Sequence, residues 1–412
     1  MKKKIIILSL QIDQQKWEMS ELDKIHESKK FDIEIHECKN FIYPNSSLNY
    51  GTRPKKVKIL KFKKFEIWKK YMKTSKLFSE QNKKDIIIID VISSYNNLGP
   101  SLNNLFLNLF LKKENFYTIK FESPGLPDNS IKSSQFSIIS KLKKFILRLV
   151  FSPTYFFGIL RMFIINKLLI ILRLYPSHLF FSGNLNKTYL KKKFKNIMKI
   201  SEYSSWEYSK YLMFKKKKKI NKTKSKYAVF LADRDFIIKT ENQIFDKKGD
   251  PYLTINHWQK PLNDFFSKLE KIFRLKIIIA AHPKTILMND KKHYYPRKVF
   301  PNRTLRLISQ AEFAITTHST SLCYAIIFKK PIFFINSKEI EKQNNLNEHI
   351  KILSDYLNTK PVNINKEQKK EEIVKLNRVN KTRFKKFEYQ FLSSLDNKKV
   401  NYKIILNEIN KL

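Results

Sequence analysis

Two polar clusters, each directly after an apolar run, contain the residues of this chain best suited to bind a charged group. Ala281-His282-Pro283-Lys284 follows the run 276–280, and Thr317-His318-Ser319-Thr320-Ser321 follows the run 311–316. Both runs have the length and composition of buried parallel strands. Ligands of open α/β sheets bind beyond the carboxyl ends of the strands. The two clusters are therefore predicted to form two walls of one site.

The hydroxyl groups of the second cluster precede an apolar helix predicted over 321–328, so one of them is expected to be the helix N-cap. A cap explains one hydroxyl among Ser319, Thr320 and Ser321, and it leaves His318 without a role. A helix N-terminus with free N–H groups and hydroxyls is suited to a phosphate. The cluster is interpreted as a phosphate site, with a purely structural cap as the alternative.

The first cluster offers an imidazole at a strand end. His282 can donate a hydrogen bond to a phosphate oxygen or protonate a leaving group, and Lys284 adds positive charge. A histidine bonded to a backbone carbonyl is the alternative. Asp233, after the run 227–231, is predicted to face the same crevice. The spacing of Asp233 and Asp235 resembles a metal-binding pair, but Arg234 lies between them, and no metal is expected.

Strands alternate with helices in both halves of the chain, which predicts two parallel sheets flanked by helices. The predicted strands are 4–10, 31–36, 85–90, 116–122, 178–183, 227–231, 276–280, 311–316 and 331–335. The predicted helices are 15–28, 63–81, 102–111, 187–215, 262–273, 304–310 and 321–328. A length of 412 residues suits two domains. The expected fold class is α/β, with two Rossmann-like domains facing across a cleft and a basic helical insertion.

The expected domain limits follow from changes in composition. An N-terminal α/β domain for the acceptor covers 1–214 and includes a helical segment at 136–180. A lysine-rich linker at 215–226 leads to a C-terminal α/β domain at 227–365 that binds the donor. A helical tail at 366–412 is expected to pack back across the junction.

Part of the helical insertion has a basic amphipathic pattern. Apolar residues of 138–150 share one arc of about 140°, and lysines and an arginine occupy the opposite side. Such a helix can lie on an anionic membrane, and a surface helix packed on a core is the alternative. The next segment is interrupted by Pro153, Arg161 and Lys167, so no transmembrane helix is expected. The first residues predict a strand rather than a signal peptide.

Composition excludes some classes of protein and leaves others open. The formal net charge of +46 suits nucleic acid, anionic lipid and anionic substrates alike, but nucleic-acid motifs are absent and that partner is not expected. The six glycines form neither a dinucleotide fingerprint nor a Walker loop. Only Cys38 and Cys323 are present, which favours a reducing, cytoplasmic compartment.

Residues 227–335 resemble the C-terminal, nucleotide-binding domain of GT-B glycosyltransferases. His282-Pro283 and His318-Ser319-Thr320-Ser321, with Ala325 and the exit 330–334, resemble the HP and Ser/Thr motifs of bacterial capsule and lipopolysaccharide sialyl- and polysialyltransferases. The resemblance implies that these motifs hold the phosphate of a CMP-sugar. It further implies an inverting, metal-independent transfer to a surface polysaccharide or lipopolysaccharide, with no cofactor, at the inner face of the cell membrane.

The general base that this resemblance requires is not identified by a motif, because no glycine follows a glutamate. Asp13 and Asp90, each after a predicted strand, are the candidates, and Asp90 is equally suited to cap a helix. Two other functions stay open. One is a CDP-glycerol glycerophosphotransferase, whose fold and histidine and serine clusters are similar. The other is a non-catalytic basic protein that binds a membrane surface or nucleic acid.

Overall fold

The chain divides into two compact units in the computed structural model. The first contains 1–123, 137–206 and 395–412, and the second contains 124–136 and 207–394. The structure describes residues 3–10, 24–25, 30–44, 57–74, 85–94, 97–99, 101–122, 126–127, 153–185, 187–194, 197–217, 227–232, 255–281, 294, 296–342, 344–394 and 399–412. The basic stretch 138–150 and most of the expected linker at 215–226 lie outside these ranges, so their roles stay predictions.

Seven parallel strands form the sheet of the first unit. They are β1 (Lys3–Ser9), β2 (Phe31–Glu37), β3 (Lys58–Lys61), β4 (Ile86–Asp90), β5 (Tyr117–Glu122), β6 (His178–Ser182) and β7 (Lys199–Tyr203), in the order β3-β2-β1-β4-β5-β6-β7. The isoleucine-rich centres of β1 and β4 are buried, as continuous apolar runs predict. The strand order reverses between β1 and β4, which makes this position the topological switch point.

Six parallel strands form the sheet of the second unit. They are β8 (Tyr227–Leu231), β9 (Lys276–Ala281), β10 (Val299–Pro301), β11 (Ala314–Thr316), β12 (Ile332–Asn336) and β13 (Val362–Asn363), in the order β10-β9-β8-β11-β12-β13. Numbered from one within each sheet, the first six strands of the other sheet have the same order. The switch point here lies between β8 and β11, whose residues Val229 and Ala314 are paired. The predicted fold class, with two Rossmann-like α/β units, is confirmed.

Helices in the described residues cover the faces of both sheets. They are α1 (Lys39–Ile42), α2 (Phe65–Thr74), α3 (Leu102–Lys113), α4 (Pro153–Ile171), α5 (Lys187–Phe194), α6 (Trp206–Lys217), α7 (Ile255–Phe273), α8 (Thr304–Gln310), α9 (Leu322–Ile327), α10 (Lys338–Lys342), α11 (Asn344–Tyr356), α12 (Lys370–Leu376), α13 (Lys381–Phe387) and α14 (Asn401–Ile409). In the first unit, α2 and α3 pack on one face of the sheet and α14 packs on the other.

Aromatic side chains dominate the core of the second unit. Phe313, at the start of the residues that lead into β11, lies 4.6 Å from Phe333 and 5.0 Å from Phe273, measured between ring centroids. Phe230 of β8 contacts Phe266 of α7 at 5.1 Å. These contacts hold β8, β11 and β12 side by side, because large, closely packed rings leave the strands little room to shift. The carboxyl ends of the three strands therefore form a rigid edge.

The prediction of one helix over 187–215 is wrong. The segment contains α5, the strand β7 and the start of α6. The backbone of β7 pairs with β6 along its whole length, and Lys187 lies 2.6 Å from Glu202 within an ion pair. The charged side chains of β7 do not suggest a strand in the sequence, because an edge strand with solvent on one side does not need an apolar run. The strands β3, β10 and β13 were missed because they are only four, three and two residues long.

A buried ionic network joins β1, β2 and β3 in the first unit. The Glu34 carboxylate lies 3.0 Å from the ammonium groups of Lys4 and Lys58, and Tyr71 donates a hydrogen bond to it. Burial opposes ionisation, but hydrogen bonds from His36 and both lysines outweigh it and hold the pKa of Glu34 well below its usual range. Trp68 donates to Nδ1 of His36, so the imidazole bridges helix and sheet. This network is structural.

Candidate functional site

The turn that follows β11 brings most of the predicted hydroxyl groups to the switch point of the second sheet. We call residues 317–321 the hydroxyl turn. The N–H of Ser319 donates to Oγ1 of Thr316 at 3.3 Å, and the N–H of Ser321 donates to Oγ of Ser319 at 3.4 Å. Thr316, Thr317 and Ser319 are buried. Their hydroxyls hold the turn in shape, so a ligand has little access to them.

The start of α9 differs from the expected open helix N-terminus. Ser321 is the N-cap residue, but its hydroxyl makes no capping hydrogen bond. The first N–H groups of α9 donate to the carbonyls of Ser319, Thr320 and Ser321 at 3.0, 3.2 and 3.1 Å, in a tight turn of the 3₁₀ type. Since these donors are already engaged, an anion at this edge depends on side chains. Thr320 is exposed and Ser321 is half-buried, so their hydroxyls are accessible.

A second histidine, which the sequence did not single out, lies beside the hydroxyl turn. The ring centroid of His349, on α11, is 5.7 Å from that of His318. Nδ1 of His318 is 3.3 Å from Oγ1 of Thr317. Asn336, the last residue of β12, donates to Oδ1 of Asn347 at 2.9 Å and thereby fixes α11 against this edge. The only indication in the sequence that a third strand end contributes to this edge was Asn336, a polar residue at the end of a third apolar run.

Asp90 is deeply buried at the end of β4, beside the switch point of the first sheet. Its Oδ1 accepts a hydrogen bond from the N–H of Ile92 at 2.8 Å. Its Oδ2 lies 2.7 Å from Nζ of Lys120, in an ion pair whose side chains are 1% and 2% exposed. Lys120 also donates to Oγ of Ser93 at 2.9 Å. Asp90 therefore caps a turn, not a helix, and both of its oxygens are engaged.

Glu122, the last residue of β5, is the more available carboxyl group at the same edge. Side chains alternate between the two faces of the sheet along β5, so Glu122 lies on the same face as Lys120, two residues nearer the carboxyl end. Burial raises the pKa of Glu122 to about 7, and the charge of Lys120 only partly opposes that shift. The side chain is half-buried, and no side chain in the described residues donates a hydrogen bond to it. Sequence reasoning missed Glu122.

Four of the predicted site residues lie outside the described part of the chain: Asp13, Asp233, His282 and Lys284. The strands that precede three of them are well defined. β9 ends at Ala281, and its neighbour β8 ends at Leu231, next to β11. Both strands end at the edge that carries the hydroxyl turn. The roles of these four residues stay predictions.

Two cavities lined by described residues lie away from the hydroxyl turn. One of about 200 Å³ runs from the Asp90–Lys120 pair along the face of β5 to Ser177, before β6. Another of about 620 Å³ lies at the amino end of β12 and includes Lys360 and Lys381. Neither contains the hydroxyl turn. Within the described ranges, no three His, Cys, Asp or Glu side chains are grouped as metal ligands would be.

Comparison with solved structures identifies the architecture. The chain is similar over its full length to a single-residue variant of the wall teichoic acid polymerase TagF, with 12% identity, 88% of that chain covered and a TM-score of 0.51. It is equally similar to UGT89C1 of Arabidopsis thaliana, with 11% identity, 99% coverage and a TM-score of 0.51. Unmodified TagF gives 14% identity, 89% coverage and a TM-score of 0.50.

These similarities show a GT-B fold of the glycosyltransferase type and, at such low identity, nothing finer. No protein-family model matches the sequence, and no curated protein matches it either. The resemblance to GT-B enzymes is confirmed at the level of the fold. The resemblance to sialyl- and polysialyltransferases stays a prediction.

Proposed function

We propose that the protein is a transferase that moves a group from a cytidine-nucleotide donor to a hydroxyl of a surface glycan. The donor phosphate is held at the edge formed by β8, β9 and β11. His318, Thr320 and Ser321 contact it from the hydroxyl turn, and His282 and Lys284 contact it from the end of β9. Asp233 contributes to the same donor site after β8.

The observation that carries this proposal is the position of the hydroxyl turn at the switch point of the second sheet. That position is where doubly wound α/β proteins bind nucleotides. Accessible hydroxyls of Thr320 and Ser321, with the imidazole of His318, supply hydrogen-bond donors to an oxyanion. Because the N–H groups of α9 are engaged, these side chains must supply most of the stabilisation of the departing phosphate.

We assign the general base to Glu122. An efficient base has a pKa near the working pH, and Glu122 is the carboxyl group at the carboxyl edge of the first sheet whose pKa is raised to about 7. Asp90 does not suit this role, because its oxygens are engaged by Lys120 and the N–H of Ile92. Asp13, which follows the residues of β1 in the sequence, is a second candidate. The base accepts the proton of the acceptor hydroxyl as that oxygen attacks, which corresponds to an inverting transfer.

Two donors fit the proposal. A CMP-sugar is implied by the HP and Ser/Thr motifs around His282 and His318, with a surface polysaccharide or lipopolysaccharide as acceptor and no metal ion. CDP-glycerol is the second candidate, because a structure similar to this chain is a wall teichoic acid polymerase. Both donors leave a cytidine nucleotide, so the phosphate site serves either one. The acceptor is placed at the inner face of a bacterial membrane.

The proposal is tested by calorimetric titration of the full chain with CMP, CDP, UDP and GDP. Transfer of a sugar from a CMP-sugar and transfer of glycerol phosphate from CDP-glycerol both release CMP, so selective binding of CMP supports either donor, whereas tighter binding of CDP than of CMP supports CDP-glycerol, which contains the CDP group. The same titrations on His282→Ala and His318→Asn should lose at least tenfold in affinity, since a hydrogen bond to a charged group contributes about 1.5–3 kcal/mol. Lys276→Gln, an exposed charge change at the amino end of β9 and therefore at the opposite edge of the sheet, serves as the control. Equal affinity for all four nucleotides, or none, in the folded protein would refute the proposal.

A further inference from the structure

The helix α4 carries large apolar side chains on its exposed side as well as on its packed side. Ile165 and Leu169 face inward and pack with Leu105 of α3. The residues that face outward are also large and apolar, and we call them the α4 outer face: Phe157, Leu160, Phe163, Ile164, Ile170 and Ile171. A helix that is apolar all round is normally buried in a core or in lipid. Something apolar therefore covers this side of α4.

The exposed area is too large to be ordinary surface variation. Ile171 is 72% exposed and Phe157 is 62% exposed, and Leu172 directly after the helix is exposed as well. On the neighbouring helix α3, Leu102 and Phe106 are exposed as well. Single exposed apolar residues are common, but a continuous patch of this kind marks a contact with a membrane or a partner.

The charges of this patch identify the partner. Arg161 and Lys167 lie on α4, Arg173 follows it, and α4 contains no acidic residue. Nζ of Lys167 sits 5.4 Å from the centre of the Phe163 ring, so this cation lies over one of the rings of the α4 outer face. Apolar side chains surrounded by cations match the acyl and headgroup layers of an anionic lipid bilayer.

The helix is suited to lie on a bilayer rather than cross it. No helix in the described part of the chain is long and apolar enough to span a membrane. Arg161 and Lys167 interrupt the 19 residues of α4, and its inner side packs on α3. We propose that the α4 outer face inserts into the interfacial layer of an anionic bilayer, and so docks the first unit on the membrane surface. This docking does not depend on the proposed function.

The test uses binding of the full chain to vesicles of phosphatidylcholine with increasing phosphatidylglycerol. The double variant Ile164→Ser/Ile171→Ser should lower vesicle partition at least tenfold, because each side chain loses apolar burial in lipid. The matched control Ile67→Ser/Ile197→Ser changes two isoleucines of the same unit that are each 51% exposed. Lys167→Gln should weaken binding a few-fold at low salt and leave it unchanged at about 0.5 M salt.

A label on the helix distinguishes insertion from attraction by the overall charge of +46. Cys38 and Cys323 are buried, and burial raises the pKa of both thiols, so a cysteine introduced at Ile171 can be labelled selectively. We expect brominated acyl chains to quench a fluorophore at Ile171→Cys and leave one at Ile67→Cys unchanged.

Three results would overturn the proposal. The first is the same partition in both double variants: if neither loses binding, binding depends on charge alone, and if both lose it equally, the α4 outer face has no particular role. The second is a dimer in the absence of lipid that dissociates in Ile164→Ser/Ile171→Ser, which would assign the face to a second copy of the chain. The third is protection of the Ile171→Cys label from iodide in a lipid-free monomer, which would mean that the chain itself covers this face.

Discussion

Replacing Lys120 with methionine tests whether Asp90 is a structural anion or a reactive one. The substitution keeps most of the side-chain volume and removes the cation that lies 2.7 Å from Oδ2 of Asp90. With an effective dielectric constant of 20, the attraction over that distance is about 6 kcal/mol before the cost of desolvation. Loss of one partner leaves a buried charge uncompensated, which costs about 3–5 kcal/mol. Lys120→Met should lower the free energy of unfolding by that amount.

The measurement is urea unfolding followed by circular dichroism, with amide hydrogen exchange in β4 and β5 to report on the first unit by itself. The control is Lys61→Met, which breaks an exposed pair with Glu37 at 3.7 Å and should cost less than about 1 kcal/mol. The double variant Asp90→Asn/Lys120→Met should recover stability relative to Lys120→Met, since no buried charge remains. If Lys120→Met lowers the free energy of unfolding no more than Lys61→Met does, the ion pair with Lys120 does not hold Asp90. The argument that excludes Asp90 as the general base then fails.

Three further predictions concern the two edges and the core. Thr320→Ala should weaken nucleotide binding about tenfold in calorimetry, whereas Ser319→Ala should chiefly lower the melting temperature; the reverse pattern would contradict the assignment of the hydroxyl turn. Glu122→Gln should lower kcat and remove the acid limb near pH 7 from the pH–rate profile while donor affinity is kept; an unchanged profile would exclude Glu122. Burial lowers the pKa of His178 to about 4 from an ordinary value of 6.5, so the unfolded chain binds the proton first and His178 contributes a fall of up to about 3 kcal/mol in the free energy of unfolding between pH 6.5 and pH 4; the buried His36 acts in the same direction, and Glu122, whose pKa is raised to about 7, acts in the opposite direction. Urea midpoints at several pH values measure this fall, and His178→Gln should reduce it.

The sequence predicted the two sheets well because their central strands are continuous apolar runs. Ile86–Ile89 and Lys276–Ala280 had a length and composition that suit only strands buried on both faces. The edge strands β7 and β13 could not be predicted in this way, because pairing with a neighbour and not side-chain burial decides their conformation.

The hydroxyl turn was predicted from spacing, but its chemistry was only partly predictable. A run of three hydroxyl residues before an apolar segment shows where a cap lies, and Ser321 does occupy that position. The run does not show which hydroxyls form hydrogen bonds within the turn. Ser319 is engaged by the N–H of Ser321, whereas Thr320 points to solvent, and that division depends on backbone geometry.

Asp90 and Glu122 show why a carboxylate at a strand end is not enough to identify a base. Both residues end a buried strand at the same edge of one sheet, and in the sequence they are equivalent candidates. Register separates them, because Asp90 is paired with Lys120 of the neighbouring strand, whereas Glu122 is paired with Phe181. A cation opposite a carboxylate favours its charged form, whereas an apolar neighbour disfavours it. Burial raises the pKa of Glu122 to about 7, so this carboxyl group can take up a proton near neutral pH, and the neighbouring strand that distinguishes the two residues lies far away in the sequence.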